Sequence, residues 1–343
     1  MNMHPFISIL FLFLILFQRL PGEKKESQDI VTSIKKIILP EFPYAHNPSL
    51  VDTDEGLLLS FRYVPDLLAP WISYIGVVFL NEDFEPISKP QLLNTRVGNP
   101  LIPSQSEDAR LISYQGNLYV LYNDNHTLVN PTFEHRRDMY IARLFYQDQQ
   151  FTLSEPLKLY HHEKYYSQKW QKNWVPFVWD DALLLSYSLR PHEVLYPDLT
   201  SGRSIPFVIS EFGNQKWEWK WGQLRGGTPA LLVDDEYLAF FHSSIVTSST
   251  ASKGKAIHHY YMGAYTFSHE PPFHITQITS SPIIADGFYT SSNLPKQVIF
   301  PGGFIIRNGY YAVAYGKNDQ EVWVAIINRK KLKKVLVPVG LLK

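Results

Sequence analysis

The chain has 343 residues, 45% of them hydrophobic and 15% aromatic, which is ample for a buried core and too apolar for an extended disordered polymer. Its 32 basic residues are balanced by 32 acidic ones, which argues against the net basic field that nucleic acid or an acidic membrane surface would select. The absence of cysteine excludes disulfides, thiolate metal sites and a cysteine nucleophile.

Phe6 to Phe17 is a run of Phe, Ile and Leu broken only by Ser8. It is shorter than the roughly 20 residues of a membrane span and suits the apolar part of a signal peptide, although no Lys or Arg precedes it. Residues 1–22 are therefore expected to be a signal peptide or an N-terminal membrane anchor, and the protein to be exported or membrane-anchored. Residues 23–40 read as an amphipathic helix and linker. Ile30, Val31, Ile34, Ile37 and Ile38 recur at helical spacing, Ser27 can cap, and Pro40 stops the run.

From residue 41 to 343 the pattern changes to short apolar strands punctuated by Pro, Gly, Asn and Asp. One plan recurs five times: a polar or Pro/Gly-containing lead-in, an apolar strand, an acidic or glycine turn, and a second strand rich in Leu, Tyr, Phe and Val. The turns fall at Gly56, Gly116, Asp181, Asp235 and Gly309, a period of about sixty residues. Further strands such as Ser73–Phe79, Met139–Leu144, Tyr260–Tyr265 and Val322–Ile327 bring each unit to about four strands, the content of a propeller blade. The expected fold is all-β, a five-bladed β-propeller with a short N-terminal helix.

First strands of propeller blades line the central channel, so lead-in residues at one place in the repeat are expected to converge. That set is Asn47, Glu107, Asp108, Arg110, Lys172, Asn173, Arg225, Thr228, Gly302 and Gly303, with Arg62, Arg190, His242 and Asp319 at the ends of second strands. A funnel of a few carboxylates among several cations suits a polyol and an anion. Glu107 and Asp108 are adjacent, and on a regular strand adjacent side chains point to opposite faces.

These residues carry a resemblance to glycoside hydrolase family 130, the β-mannoside phosphorylases and β-1,2-mannosidases, which are five-bladed propellers. It rests on Asn47-Pro48 followed by Leu58-Leu59-Ser60-Phe61-Arg62, on Glu107-Asp108-Ala109-Arg110, on Gly227-Thr228-Pro229 followed by Phe240-Phe241-His242, on Tyr261-Met262-Gly263-Ala264, and on Phe300-Pro301-Gly302 followed by Tyr315-Gly316-Lys317-Asn318-Asp319. These motifs keep the family's order over about residues 45–328. The resemblance implies that Asp108 is the general acid, acting in the phosphorylases by way of the mannose 3-hydroxyl. It implies that Asn47 and Asp319 hold the mannosyl ring, and that Arg62, Lys172, Arg190 and His242 hold phosphate. Ala109 replaces a usual proline and Tyr289-Thr290 a usual tyrosine-glutamate pair, which sets the chain at the family's margin.

Inverting glycosyl transfer needs an acid on the leaving oxygen and a nucleophile on the opposite face. Water as nucleophile requires a second carboxylate to activate it, whereas phosphate requires cations to hold it. The several cations favour phosphorolysis of β-mannosides or related glycosides, with inorganic phosphate as co-substrate and no metal or other cofactor. The alternatives are an inverting hydrolase or mannosyltransferase on the same fold, and a glycan-binding propeller without catalysis. His161-His162 and His258-His259 lack a further ligand at metal spacing. Trp217, Trp219 and Trp221 read as packing along a strand face, while Trp170, Trp174 and Trp179 border the Lys172 lead-in as candidates for sugar contact.

Overall fold

In the computed structural model the described residues are 30–97, 103–125, 136–213, 215–250 and 252–342. The signal peptide or anchor expected over residues 1–22, the Ser27 cap, and most of the segment between Asn123 and Arg137 lie outside them.

The first element corrects the sequence reading. Val31–Ile37 is not helical but a strand, β1. Val31 and Ile37 are the two buried residues of this segment, and a register slip between Val31 and Ser33 sends them into different clusters, Val31 beside Ile327 and Ile37 beside Val322. Helical spacing of isoleucines was a coincidence of composition, and β-branched residues suit the pleated surface better.

The remaining strands follow in five antiparallel meanders. The first is β2 (Ala45–Thr53), β3 (Gly56–Tyr63), β4 (Tyr74–Leu80) and the short β5 (Gln91–Leu92). The second is β6 (Glu107–Tyr114), β7 (Asn117–Asp124) and β8 (Asp138–Gln147), with β9 (Gln150–Leu153) and β10 (Leu157–His161) both on β8. The third is β11 (Val175–Trp179), β12 (Ala182–Leu189), β13 (His192–Pro197) and β14 (Arg203–Ser210). In the fourth, β15 (Gln223–Gly226) and β16 (Leu231–Val233) share the long β17 (Glu236–Thr247), followed by β18 (Ile257–Ser268) and β19 (Ile275–Thr279). The fifth is β20 (Lys296–Arg307), β21 (Tyr310–Lys317) and β22 (Glu321–Asn328), and β1 adds to its outer edge against β22. A short helix, α1 (Arg329–Val335), and β23 (Leu336–Pro338) return the chain to β19.

Parallel pairing of β10 with β14 and of β18 with β20 joins neighbouring meanders, so the hydrogen-bonded sheets hold four, nine and ten strands. Among the described residues the fold is all-β apart from α1 and a terminal turn. Apolar side chains of adjoining meanders interleave in five clusters; one joins Val175, Phe177 and Leu184 of the third to Ala239, Phe241 and Tyr265 of the fourth. Trp217 and Trp219 are buried in this cluster, in a loop rather than a strand, which makes them packing residues. Backbones approach closely where the first strands meet. A Cβ on Gly302 would lie 2.1 Å from the Pro48 carbonyl oxygen, and one on Gly226 2.1 Å from that of Asn173, contacts only glycine permits.

Candidate active site

The first strands share an irregularity that aims their polar residues. The β2–β3 register slips between His46 and Ser49, the β6–β7 register between Glu107 and Arg110, and the β20–β21 register between Pro301 and Gly303. A bulge sets two residues against one partner and bends the strand. Asn47 and Asp108 occupy these bulges with φ of 47° and 55°, and Asn173, just ahead of β11, has φ of 62°. Asn and Asp tolerate this left-handed region better than other non-glycine residues. Because of the bulge, Glu107 and Asp108 both line one cavity, which overturns the opposite-face expectation.

That cavity holds about 570 Å³. Of the predicted site residues, Asn47, Arg62, Glu107, Asp108, Lys172, Asn173, Arg225, His242 and Asp319 line it. Two do not. Arg110 is buried beneath the floor, where its guanidinium donates to the backbone carbonyls of Asp108 and Gly227 and to Asn173 Oδ1, so it ties together lead-ins from three meanders. Arg190 lies past the end of β12, and its side chain turns away to donate to the carbonyls of Gln215 and Trp217 and to cover the Phe212 ring. Three basic lining residues escaped the sequence reading: His46, Arg137 and Lys296. His46 adjoins Asn47 in its bulge and Lys296 opens β20, positions the repeat could have flagged. Arg137 follows a long insertion, which hides its register.

The cavity's three carboxylates have different surroundings. Glu107, 3% exposed, is saturated: Oε1 accepts from Arg62 at 2.9 Å and pairs with Arg137 at 3.0 Å, while Oε2 accepts from Lys172 at 2.6 Å and Asn123 at 3.2 Å. Burial alone would raise its pKa, but Arg62, Lys172 and Arg137 overcome this and hold the carboxyl far below its ordinary range. Asp319 is paired with Lys296, and that lysine, His46 and Arg62 outweigh its burial to lower its pKa. Asp108, 8% exposed, accepts from the neutral Asn47 amide at 2.8 Å and has Arg62 at the longer distance of 3.8 Å.

The bases sort as clearly. Burial, followed by the charges of Arg110 and Arg225, drives the His242 pKa well below its ordinary value, so this ring is neutral. Burial also lowers His46, against the pull of Asp319. Burial works against the charge on Arg62, yet Glu107, Asp108 and Asp319 more than compensate and raise its pKa. Arg110, with less compensation, is pushed down to about 10. Asn47 Oδ1, Arg62 Nε, Arg137 Nε and Nη1, and His242 Nδ1 are buried without a hydrogen-bond partner among the described residues, so the cavity wall carries unmatched polar capacity. The arrangement offers one carboxylate, Asp108, whose hydrogen-bond partner is a neutral amide, set among five cationic side chains: Arg62, Arg137, Lys172, Arg225 and Lys296.

This architecture recurs in solved carbohydrate-active enzymes. A glycosyl hydrolase from Bacteroides ovatus is 15% identical, with a TM-score of 0.59 over 83% of this chain and 84% of that one. A structure from GH130, the family of mannoside phosphorylases that contains glycoside hydrolases targeting β-1,2 mannosidic linkages in Candida mannan, is 14% identical, with a TM-score of 0.60 over 86% and 91%. The β-1,2-mannobiose phosphorylase of Listeria innocua, in complex with β-1,2-mannobiose, is 15% identical, with a TM-score of 0.56 over 90% and 97%. No protein-family model and no curated protein matches the sequence. The chain thus has a GH130-like fold, reached at an identity that marks it as divergent.

Proposed function

We propose that the five meanders are the blades of a five-bladed propeller and that its polar cavity carries out inverting phosphorolysis of a β-mannoside or related glycoside. A phosphate oxygen attacks the anomeric carbon, the glycosidic carbon–oxygen bond breaks, and the leaving oxygen takes a proton that Asp108 supplies through the sugar's 3-hydroxyl, the route the family resemblance implies. Asn47 and Asp319 hold the sugar ring, while Arg62, Arg137, Lys172, Arg225 and His242 surround the phosphate.

The observation that carries this reading is the asymmetry of the carboxylates. Glu107 is locked by three cations and Asp319 by Lys296, which leaves Asp108 with a neutral partner in Asn47. Hydrolysis needs a second carboxylate free to activate water. Phosphate, already a nucleophile, needs the cations that are present.

The test is incubation of the purified chain with β-1,2-mannobiose and related β-mannosides, with and without inorganic phosphate. Phosphate-dependent release of mannose 1-phosphate is expected. Free mannose formed without phosphate would make the protein a hydrolase, and saturable binding without turnover, unchanged by Asp108→Asn, would make it a glycan-binding module.

A further inference from the structure

The polar cavity shares a wall with a second one. Leu67 and Leu294 line both it and a neighbouring cavity of about 610 Å³. The run linking β1 to β2 supplies six of the second chamber's fifteen lining residues, Ile38, Pro40, Phe42 and Tyr44 among them. Ile38 is 58% exposed, an open apolar surface beside the site. On the other flank of Leu67, its loop displays Leu68 at 87% and Trp71 at 52% exposure, and Trp71 lines the polar cavity. Lys36 and Glu321, which form an ion pair, also line the trough.

Ten of the trough's fifteen lining residues are apolar, beside polar ones such as Asn293 and Gln320, and sugar hydroxyls set against the apolar ones lose their hydrogen bonds to water without replacement. A chain of methylenes gains from the same surface, about 0.8 kcal/mol for each one fully buried. We infer that the substrate is amphiphilic: its sugar occupies the polar cavity and its apolar aglycone passes over Leu67 and Leu294 into the trough. This rests on the glycosidic reading of the polar cavity and adds the class of leaving group. The bond broken is still the one between the anomeric carbon and oxygen, phosphate forms the new bond, and the aglycone leaves as an alcohol bearing the transferred proton.

The experiment uses the full chain and two sets of ligands kept below their micelle concentrations. Turnover is measured with methyl and octyl β-mannosides in the presence and absence of phosphate, and binding by calorimetry with the S-linked analogues, which resist cleavage. The octyl compounds are expected to bind, and to react in kcat/KM, at least about tenfold better than the methyl ones. Ile38→Asp, a change at an exposed position, is expected to narrow that ratio several-fold. Equal binding of methyl and octyl S-mannosides would overturn the inference, as would a ratio indifferent to Ile38→Asp; either result follows if the apolar run at Phe6–Phe17 fills the trough. Tighter octyl binding without turnover of any O-linked mannoside would uphold the amphiphilic ligand and sink the phosphorylase reading alone.

Discussion

Asn47 Nδ2 donates to Asp108 Oδ1 at 2.8 Å, joining bulges on β2 and β6 that lie 61 residues apart in the chain. Both residues need a left-handed backbone to reach this position. Because the amide is neutral, it orients the carboxyl without placing a charge beside it, as the general-acid role proposed for Asp108 would require.

Replacing Asn47 separates orientation from charge. Asn47→Ala removes a hydrogen bond to a charged acceptor and is expected to lower kcat roughly ten- to hundredfold with little effect on the fold. Asn47→Asp places a second carboxylate where the amide was, and two carboxylates at that distance share a proton, raising one pKa. The alkaline limb of the pH–rate profile, where a general acid loses its proton, should then move to higher pH. A profile unchanged in Asn47→Asp would show that Asp108 does not exchange the essential proton.

How far the sequence could be read follows from which physical signals are local. Alternating apolar residues and turn residues are local, and the turns at Gly56, Gly116, Asp181, Asp235 and Gly309 all separate paired strands. Most of the convergent polar set was legible because it follows from one place in the repeat. The bulges were not, since a residue at positive φ looks like any Asn or Asp until its neighbours fix it. The edge position of β1 depends on β22, almost three hundred residues away. Arg190 failed because a turn at the end of β12 sends its side chain outward.

That difference between cations is testable. Lys172 contacts Glu107 at 2.6 Å inside the cavity, whereas Arg190 bonds only backbone carbonyls outside it. Lys172→Met is expected to raise the apparent KM for phosphate at least about tenfold, the loss of one charge-assisted contact. Arg190→Met should leave that KM unchanged and lower the urea midpoint by the equivalent of about 1–3 kcal/mol. Equal effects of the two on phosphate KM would overturn this division.

Glu107 is expected to govern acid stability. Its folded pKa lies below the unfolded value of 4.5, so its stabilisation is complete above about pH 4.5 and is lost as the unfolded chain takes up a proton that the folded chain refuses. Glu107→Gln leaves Arg62, Arg137 and Lys172 without their shared counter-charge. The cost should be about 3–5 kcal/mol at neutral pH, typical of a buried ion pair that loses one partner. Urea midpoints measured from pH 7 to pH 3 should therefore start lower in the variant and fall less steeply below about pH 5. Parallel curves would rule out Glu107 as the source of the acid sensitivity.

A second, higher pH window belongs to His192. The ring is fully buried, with Nδ1 2.6 Å from the Phe273 carbonyl oxygen and Nε2 2.9 Å from Ser186 Oγ. A carbonyl only accepts, so Nδ1 carries the proton and Nε2 accepts from the serine hydroxyl, and the neutral ring is fully satisfied. Burial pushes its pKa down to about 4, with the Phe273 carbonyl working against the shift and His274 adding to it. Below about pH 6.5 the unfolded chain binds a proton that the folded ring declines, so stability drops as pH falls from about 6.5 towards about 4 and no further on this account. The depression corresponds to a loss of about 3 kcal/mol across that window. His192→Gln retains a donor and an acceptor but cannot titrate, so it should flatten the urea midpoint between pH 6.5 and 4 while leaving the steeper Glu107 loss below it. If the midpoint in that interval falls as much in the variant as in the parent chain, the sensitivity belongs to another buried base, and His242, also held neutral by burial, is the next to replace.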